Sequence, residues 1–294
     1  MSALTDLLER AALQRRATNA ALGLVRDDEM LTRVEWRGQA TDVRGLFYRI
    51  ADGAWERRVA AAELLARLGW QQSEAQRILG LAGQASGQLC AALLGLDEVM
   101  LDLQPPGEWS VRQALEHHLN TEERYGVQVG YTLERYRAGG SLPEQVPEER
   151  MPARFSGQTM TGGPVDVVLD RLADARANTI ADFSGLSGAD LAVPARYGRQ
   201  SVDVRYRLHR FAAHEREHTI QIVKTQQALG FAHTEAELIL GQSEVASGGL
   251  EGALIGVPDS LIDQRIDGVT IIELLRRGID EDGEAVQTIV AATR

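Results

Sequence analysis

Residues 204–229 read VRYRLHRFAAHEREHTIQIVKTQQAL. At about 100° of turn per residue, Leu208, Phe211, Glu215, Ile222, Gln226 and Leu229 fall within about 40° of Val204. The stretch is therefore one amphipathic helix with a single inward stripe. His214 and His218 lie one turn apart on the flank of that stripe, where both imidazoles can reach one point. His209 falls on the solvent side, and His233 lies beyond the helix end. A second pair, His117 and His118, stands in WSVRQALEHHLNTEERY (109–125). There Val111, Leu115, Tyr125, Val129, Leu133 and Tyr136 form the core stripe. His118 lies within it and His117 off it; periodicity favours His118, and the flank position of His214 and His218 keeps His117 open.

Outward from these two stretches the helical period persists. Leu4, Leu7, Leu8, Ala11 and Ala12 mark a first helix over 4–25, and 43–68 reads as a second, stopped by Gly69. Residues 73–100 form a third run in which Gly80, Gly83 and Gly87 each weaken the helix by roughly 1 kcal/mol relative to Ala. Cys90 sits there among Leu89, Ala91 and Leu93, where a buried, inert thiol is expected. Pro105-Pro106-Gly107 breaks the chain, and Ser110 with Gln113 makes a capping box for the next helix, to about Arg137. Residues 138–163 are a long turn region that must cross the bundle or cover an opening. Pro164 suits the first turn of a helix over 164–186, and Ser201 is the expected N-cap of the histidine helix. Residues 241–268 read as irregular, before a last helix capped by Thr270 and Glu273. No strand pattern of any length competes, so the fold class is all-α. The organisation expected is a four-helix bundle over 71–232, with helical extensions over 1–70 and 233–294.

Three stretches echo one another: TDVRGLFYRIADGAWERRV, WSVRQALEHHLNTEERYGV and VTIIELLRRGIDEDGEAV. Only the middle one carries histidines, and Arg49 and Arg276 fall where His117 would be.

Bulk properties narrow the function. The 294 residues carry a net charge of −11, which repels phosphate backbones, so no nucleic-acid partner is expected. One cysteine rules out an internal disulfide and a cysteine-based zinc site. The start of the chain lacks the apolar run of a signal peptide, and no 18-residue apolar stretch occurs; a soluble, cytoplasmic protein is the expectation. Three neutral imidazoles suit Zn²⁺, Ni²⁺ or Fe²⁺ better than the oxygen-seeking Mg²⁺ or Ca²⁺. Three protein ligands also leave a position open for chemistry.

The stretch WSVRQALEH (109–117), together with AHEREHTIQI (213–222), resembles the DinB/YfiT-like superfamily, as does the loop LSGADLAVPARYGRQSVDVR between the last two bundle helices. The resemblance covers roughly residues 73–231. It implies a bundle of four helices holding one divalent metal ion, with the helix-two ligand eight residues after the Trp. That selects His117 beside His214 and His218, with His118 the alternative. It further implies a metal-dependent thiol S-transferase that acts with a low-molecular-weight thiol, of mycothiol or bacillithiol type, on a small electrophile. Gln221, one turn beyond His218, and Thr121, one turn beyond His117, are the expected contacts to a cofactor or bound water. Arg124 and Tyr125 are further candidates. A non-catalytic metal-binding scaffold is the alternative, and a metal-dependent hydrolase a weaker one. The extensions would form a homodimer interface, cover the metal, or pack as a degenerate second bundle.

Overall fold

A computed structural model describes residues 3–157 and 162–293. In chain order, α1 (Ala3–Leu22) leads through a 3₁₀ turn to a hairpin, β1 (Arg33–Trp36) and β2 (Gln39–Asp42), and then to α2 (Val43–Arg67). Next come α3 (Glu74–Leu93), the short α4 (Glu98–Asp102), α5 (Val111–Arg137) and α6 (Val165–Phe183). The one-turn α7 (Gly188–Leu191), a second hairpin of β3 (Pro194–Tyr197) and β4 (Gln200–Asp203), and α8 (Val204–Ala228) follow. Last are α9 (Glu235–Leu254), the one-turn α10 (Asp259–Ile262) and α11 (Ile271–Thr293). The architecture is a helical bundle fold.

Four local expectations need correction. Two antiparallel hairpins interrupt the helices. Their strands are only four residues long, too short to show a period of two. What specifies them is the turns: Arg37 and Gly38 both take positive φ, and Gly198 does so at the first central position of the second hairpin. The histidine helix is capped by Asp203, which accepts from the Tyr206 N–H, and Ser201 lies in β4. Residues 241–268 are not irregular throughout, because α9 occupies their first half. Its small residues reflect close packing. A Cβ on Gly241 would lie 3.3 Å from Cβ of Ala91, and one on Gly249 would lie 2.6 Å from the Arg58 guanidinium. Cys90, expected buried, is only half-buried.

The chain divides into two compact units. One spans Gln72–Leu89 and Leu96–Ala232 and contains α5, α6, α8 and most of α3. α5 and α8 run antiparallel, with Thr225 donating to the Trp109 carbonyl at one end and Tyr125 against Phe211 further along. α6 runs the same way as α5, because the chain between them returns along its length. Arg150 bonds Glu134, the Asn120 side chain bonds the backbone of Ala153 and Phe155, and Gln113 donates to the Gly157 carbonyl. The fully buried Arg112 finishes this return with Nε and Nη2 on the Asp102 carboxylate and Nη2 on the Gly163 carbonyl. The core behind the site is apolar, with Val111, Leu115, Val168, Val204, Leu208 and Ile222 almost fully buried.

The other unit holds the chain through Gln71, Cys90–Gly95 and the residues from His233 on. Here α2 packs on α9 and α11, and α1 on α11. Two apolar clusters fill it, one around Leu22, Phe47, Ile50 and Leu240, the other around Leu65, Leu254, Ile271 and Leu275.

The elements recur along the chain at a constant step of 161 residues: β1 starts at 33 and β3 at 194, α2 at 43 and α8 at 204, α3 at 74 and α9 at 235. α2 and α8 are each 25 residues long behind an Asp N-cap, and Gly69 and Gly230 end them with positive φ. Ion pairs recur as well, Arg44 with Glu235 in one unit and Arg205 with Glu74 in the other. The echoing stretches 109–127 and 269–286 fall on α5 and α11, while at the step of 161 the partner of 43–67 is 204–228. At this step Gly53 and Arg57 stand where the second copy has His214 and His218. Counted from the caps Ser110 and Thr270, a step of 160, the counterpart of His117 is Arg277, which corrects the expected Arg276, and that of His118 is Gly278. Arg57 holds the Asp282 carboxylate at 2.7 and 3.2 Å. Glycine at 278 leaves room for it, since a Cβ there would lie 2.2 Å from Cδ of Arg57.

Candidate metal centre

His214 and His218 face inward from α8 and are buried, and half-buried His117 meets them from α5. One ligating nitrogen from each of the three lies within 4.8 Å of the others. The Nε2 atoms of His214 and His218 are 3.1 Å apart. Two nitrogens bound tetrahedrally at 2.0–2.1 Å sit about 3.3 Å apart, so this pair is already close to ligand spacing. The Gln221 Oε1 lies 2.9 Å from His218 Nδ1. An amide oxygen only accepts, so Nδ1 carries the proton and the Nε2 lone pair is left for the site. Burial pushes the His214 imidazole down to about 2, its histidine neighbours adding to this, and His218 down to about 4 in the same way. His117 is also lowered, by burial and then by His118. All three are neutral at pH 7, the state a ligating imidazole needs. The donor set fits a borderline divalent cation.

The lowered imidazoles have a measurable cost in acid. Their folded values lie below the ordinary one of about 6.5, so the unfolded chain takes up protons first. The stability they carry is complete above about pH 6.5 and falls as the pH drops towards 4, at up to about 1.4 kcal/mol per pH unit for each group. Urea unfolding of metal-free protein is expected to show this fall between pH 7 and pH 5. A His214→Gln/His218→Gln variant is expected to flatten it; an unchanged slope would contradict the assignment.

His118 points elsewhere. It is 2% exposed and sits 3.6 Å from Glu215 and 3.8 Å from Glu122. Those carboxylates are bound by the buried Arg176 of α6. Its Nε and Nη2 take Glu122 at 2.7 and 2.8 Å, and Nη2 also takes Glu215 at 3.0 Å. Thr179 adds a bond to Glu122. Burial works against the Arg176 charge, yet the two carboxylates raise its pKa; burial likewise opposes the charge on Glu215, and Arg176 and His118 hold it below the usual range. This charged cluster was missed in the sequence. The signal was there, because Glu215 lies on the core stripe of its helix.

Of the three, His117 opens on a cleft of about 610 Å³, lined also by Thr121, Arg124 and Tyr125 of α5, by Phe155 of the returning segment, and by Tyr197 and Arg207. Trp109 and Phe155 flank the His117 ring at 4.9 and 5.9 Å. Of the two expected cofactor contacts, the Thr121 hydroxyl lies on this cleft, 3.5 Å from His117 Nε2, while Gln221 is engaged with His218. His209 is exposed, and Glu217 is paired with Arg210 at 2.9 Å.

A helical bundle whose facing helices bring three neutral histidines together, one of them lining a cleft, defines a class of proteins with a candidate metal centre. The chain belongs to the DinB superfamily, whose family description matches residues 50–222. No match was found among curated proteins or among solved structures. Among the described residues, no helix is long and apolar enough to cross a membrane.

Proposed function

We propose that His117, His214 and His218 hold one divalent ion of Zn, Ni or Fe, and that the protein is a thiol S-transferase using a low-molecular-weight thiol. The observation that carries this reading is the convergence of three neutral imidazoles beside a cleft that His117 lines and that is large enough for a small molecule. A divalent ion held there supplies Lewis acidity, which keeps a thiol in its nucleophilic thiolate form near neutral pH. The chain's own residues do the rest. Gln221 fixes the tautomer and angle of His218. Trp109 and Phe155 shield one side of His117 from water, and Thr121 offers a hydroxyl beside it. The sulfur forms the new C–S bond, the leaving group departs with its bonding pair, and the thiol proton passes to solvent. The buried carboxylates beside His118 are committed to Arg176, which disfavours the hydrolase alternative.

The test is conjugation of monochlorobimane by metal-loaded and metal-free protein with mycothiol, bacillithiol or glutathione. At least one thiol is expected to react at a rate that drops at least tenfold on metal removal. Loaded protein that accelerates none of them would overturn the transferase reading in favour of a binding scaffold.

A further inference from the structure

Arg207 of α8 is 2% exposed, and its guanidinium lies 4.6 Å from the centre of the Tyr125 ring and 5.4 Å from that of Tyr197. Burial pushes it down to about 10, so it remains charged at neutral pH. Its Nε and Nη2 atoms are buried and have no hydrogen-bond partner among the described residues. That pair of donors forms one edge of the guanidinium. It is the edge with which Arg112 holds Asp102 and Arg176 holds Glu122 in this same chain. A buried cation with a vacant bidentate edge is costly, and a planar oxyanion is its natural complement.

The surroundings agree. Arg124, Arg154, Arg196 and Arg207 line the cleft against Glu144 and Glu148, a positive excess in a chain of net charge −11. Arg207 precedes His214 by seven residues on one helix, which places it on the same flank and about 10 Å away along the axis.

Resting on the reading of this cleft as the substrate site, we propose that it binds a small molecule through a carboxylate seated on the Nε and Nη2 edge of Arg207, whose backbone lies about 10 Å along the helix axis from that of His214. Arg207 selects the ligand and positions it; it does not touch the reacting atoms.

The probe that spans this distance is 8-mercaptooctanoate, set beside its uncharged methyl ester and octanoate. Binding to full-length zinc-loaded protein is measured by calorimetry for wild type, Arg207→Gln and Arg207→Lys, with folding checked by circular dichroism. A charge-assisted bidentate contact predicts that wild type prefers the acid over the ester by about 10- to 100-fold. Arg207→Gln is expected to bring the two within about twofold, and Arg207→Lys to fall between, because ammonium keeps the charge without the fork. Should Arg207→Gln fail to fold, Arg207→Lys carries the comparison. Equal affinity for acid and ester in wild type means that water serves the buried edge, and it overturns the proposal; so does a preference that survives both substitutions. Octanoate that binds through Arg207 while neither thiol gains from its sulfur keeps the anion site and discards the thiol reading. A mercapto acid that binds at least tenfold tighter than octanoate puts acid and sulfur on one molecule.

Discussion

His214→Ala and His218→Ala are each expected to lower divalent-metal affinity by well over about 100-fold, the upper range for losing a mere supporting contact to a ligand. Either change removes one of three converging nitrogens and leaves its partner in a site too sparse to hold an ion at micromolar concentrations. His117→Ala is expected to act in the same way, because His117 belongs to the convergent set. His118→Ala is expected to keep about one ion per chain, since that ring faces Glu122 and Glu215. His209→Ala is a control on the exposed side of the same helix. Mass spectrometry of metal content on protein purified without a histidine tag, with chelator competition for affinity, decides the matter. Metal lost with His209→Ala, or lost with His118→Ala and kept with His117→Ala, would refute the proposed centre.

The second large effect concerns stability. Arg176→Met leaves Glu122 and Glu215 buried side by side with their charge uncompensated. Breaking a buried ion cluster by removing one partner costs about 3–5 kcal/mol. Urea unfolding at pH 7 is expected to show a loss of that size. Adding Glu122→Gln and Glu215→Gln to the same chain is expected to recover much of it, because neutral amides tolerate burial better than unpaired carboxylates. A loss below about 1 kcal/mol for the single change would mean that water reaches these groups and that the cluster contributes little.

The helices around the site were legible because they are long and keep the 3.6-residue period over many turns, as α5 and α8 do. That period alone set His214 and His218 on one flank of α8. The choice between His117 and His118 did not. Periodicity points to the residue on the packed stripe, whereas a side chain that meets a ligand must sit where packing opens, on the flank. Only the resemblance in WSVRQALEH favoured His117. Arg207 lies on that same flank of α8 and was passed over, because a lone arginine in a helix reads as a solvated charge until its neighbours are known. α9 was hidden by its own composition. The run ASGG at 246–249 looks like a breaker, and only the approach of Arg58 to Gly249 shows why a small residue is required there. The hairpins were invisible at four residues a strand, although Arg37-Gly38 carried their turn signal.

The recurrence of α2 as α8 sets two solutions to one problem side by side along the chain. One unit gathers three imidazoles, and in the proposed function its central charge would be on loan from the surroundings, withdrawn by a chelator, acid or metal starvation. The other has Gly53, Arg57 and Arg277 at those positions, and Arg57 brings its positive charge covalently attached, clamped on Asp282. That half is self-sufficient. On the proposed function, occupancy of the histidine site would report on the supply of ions, while the Arg57 clamp on Asp282 needs none.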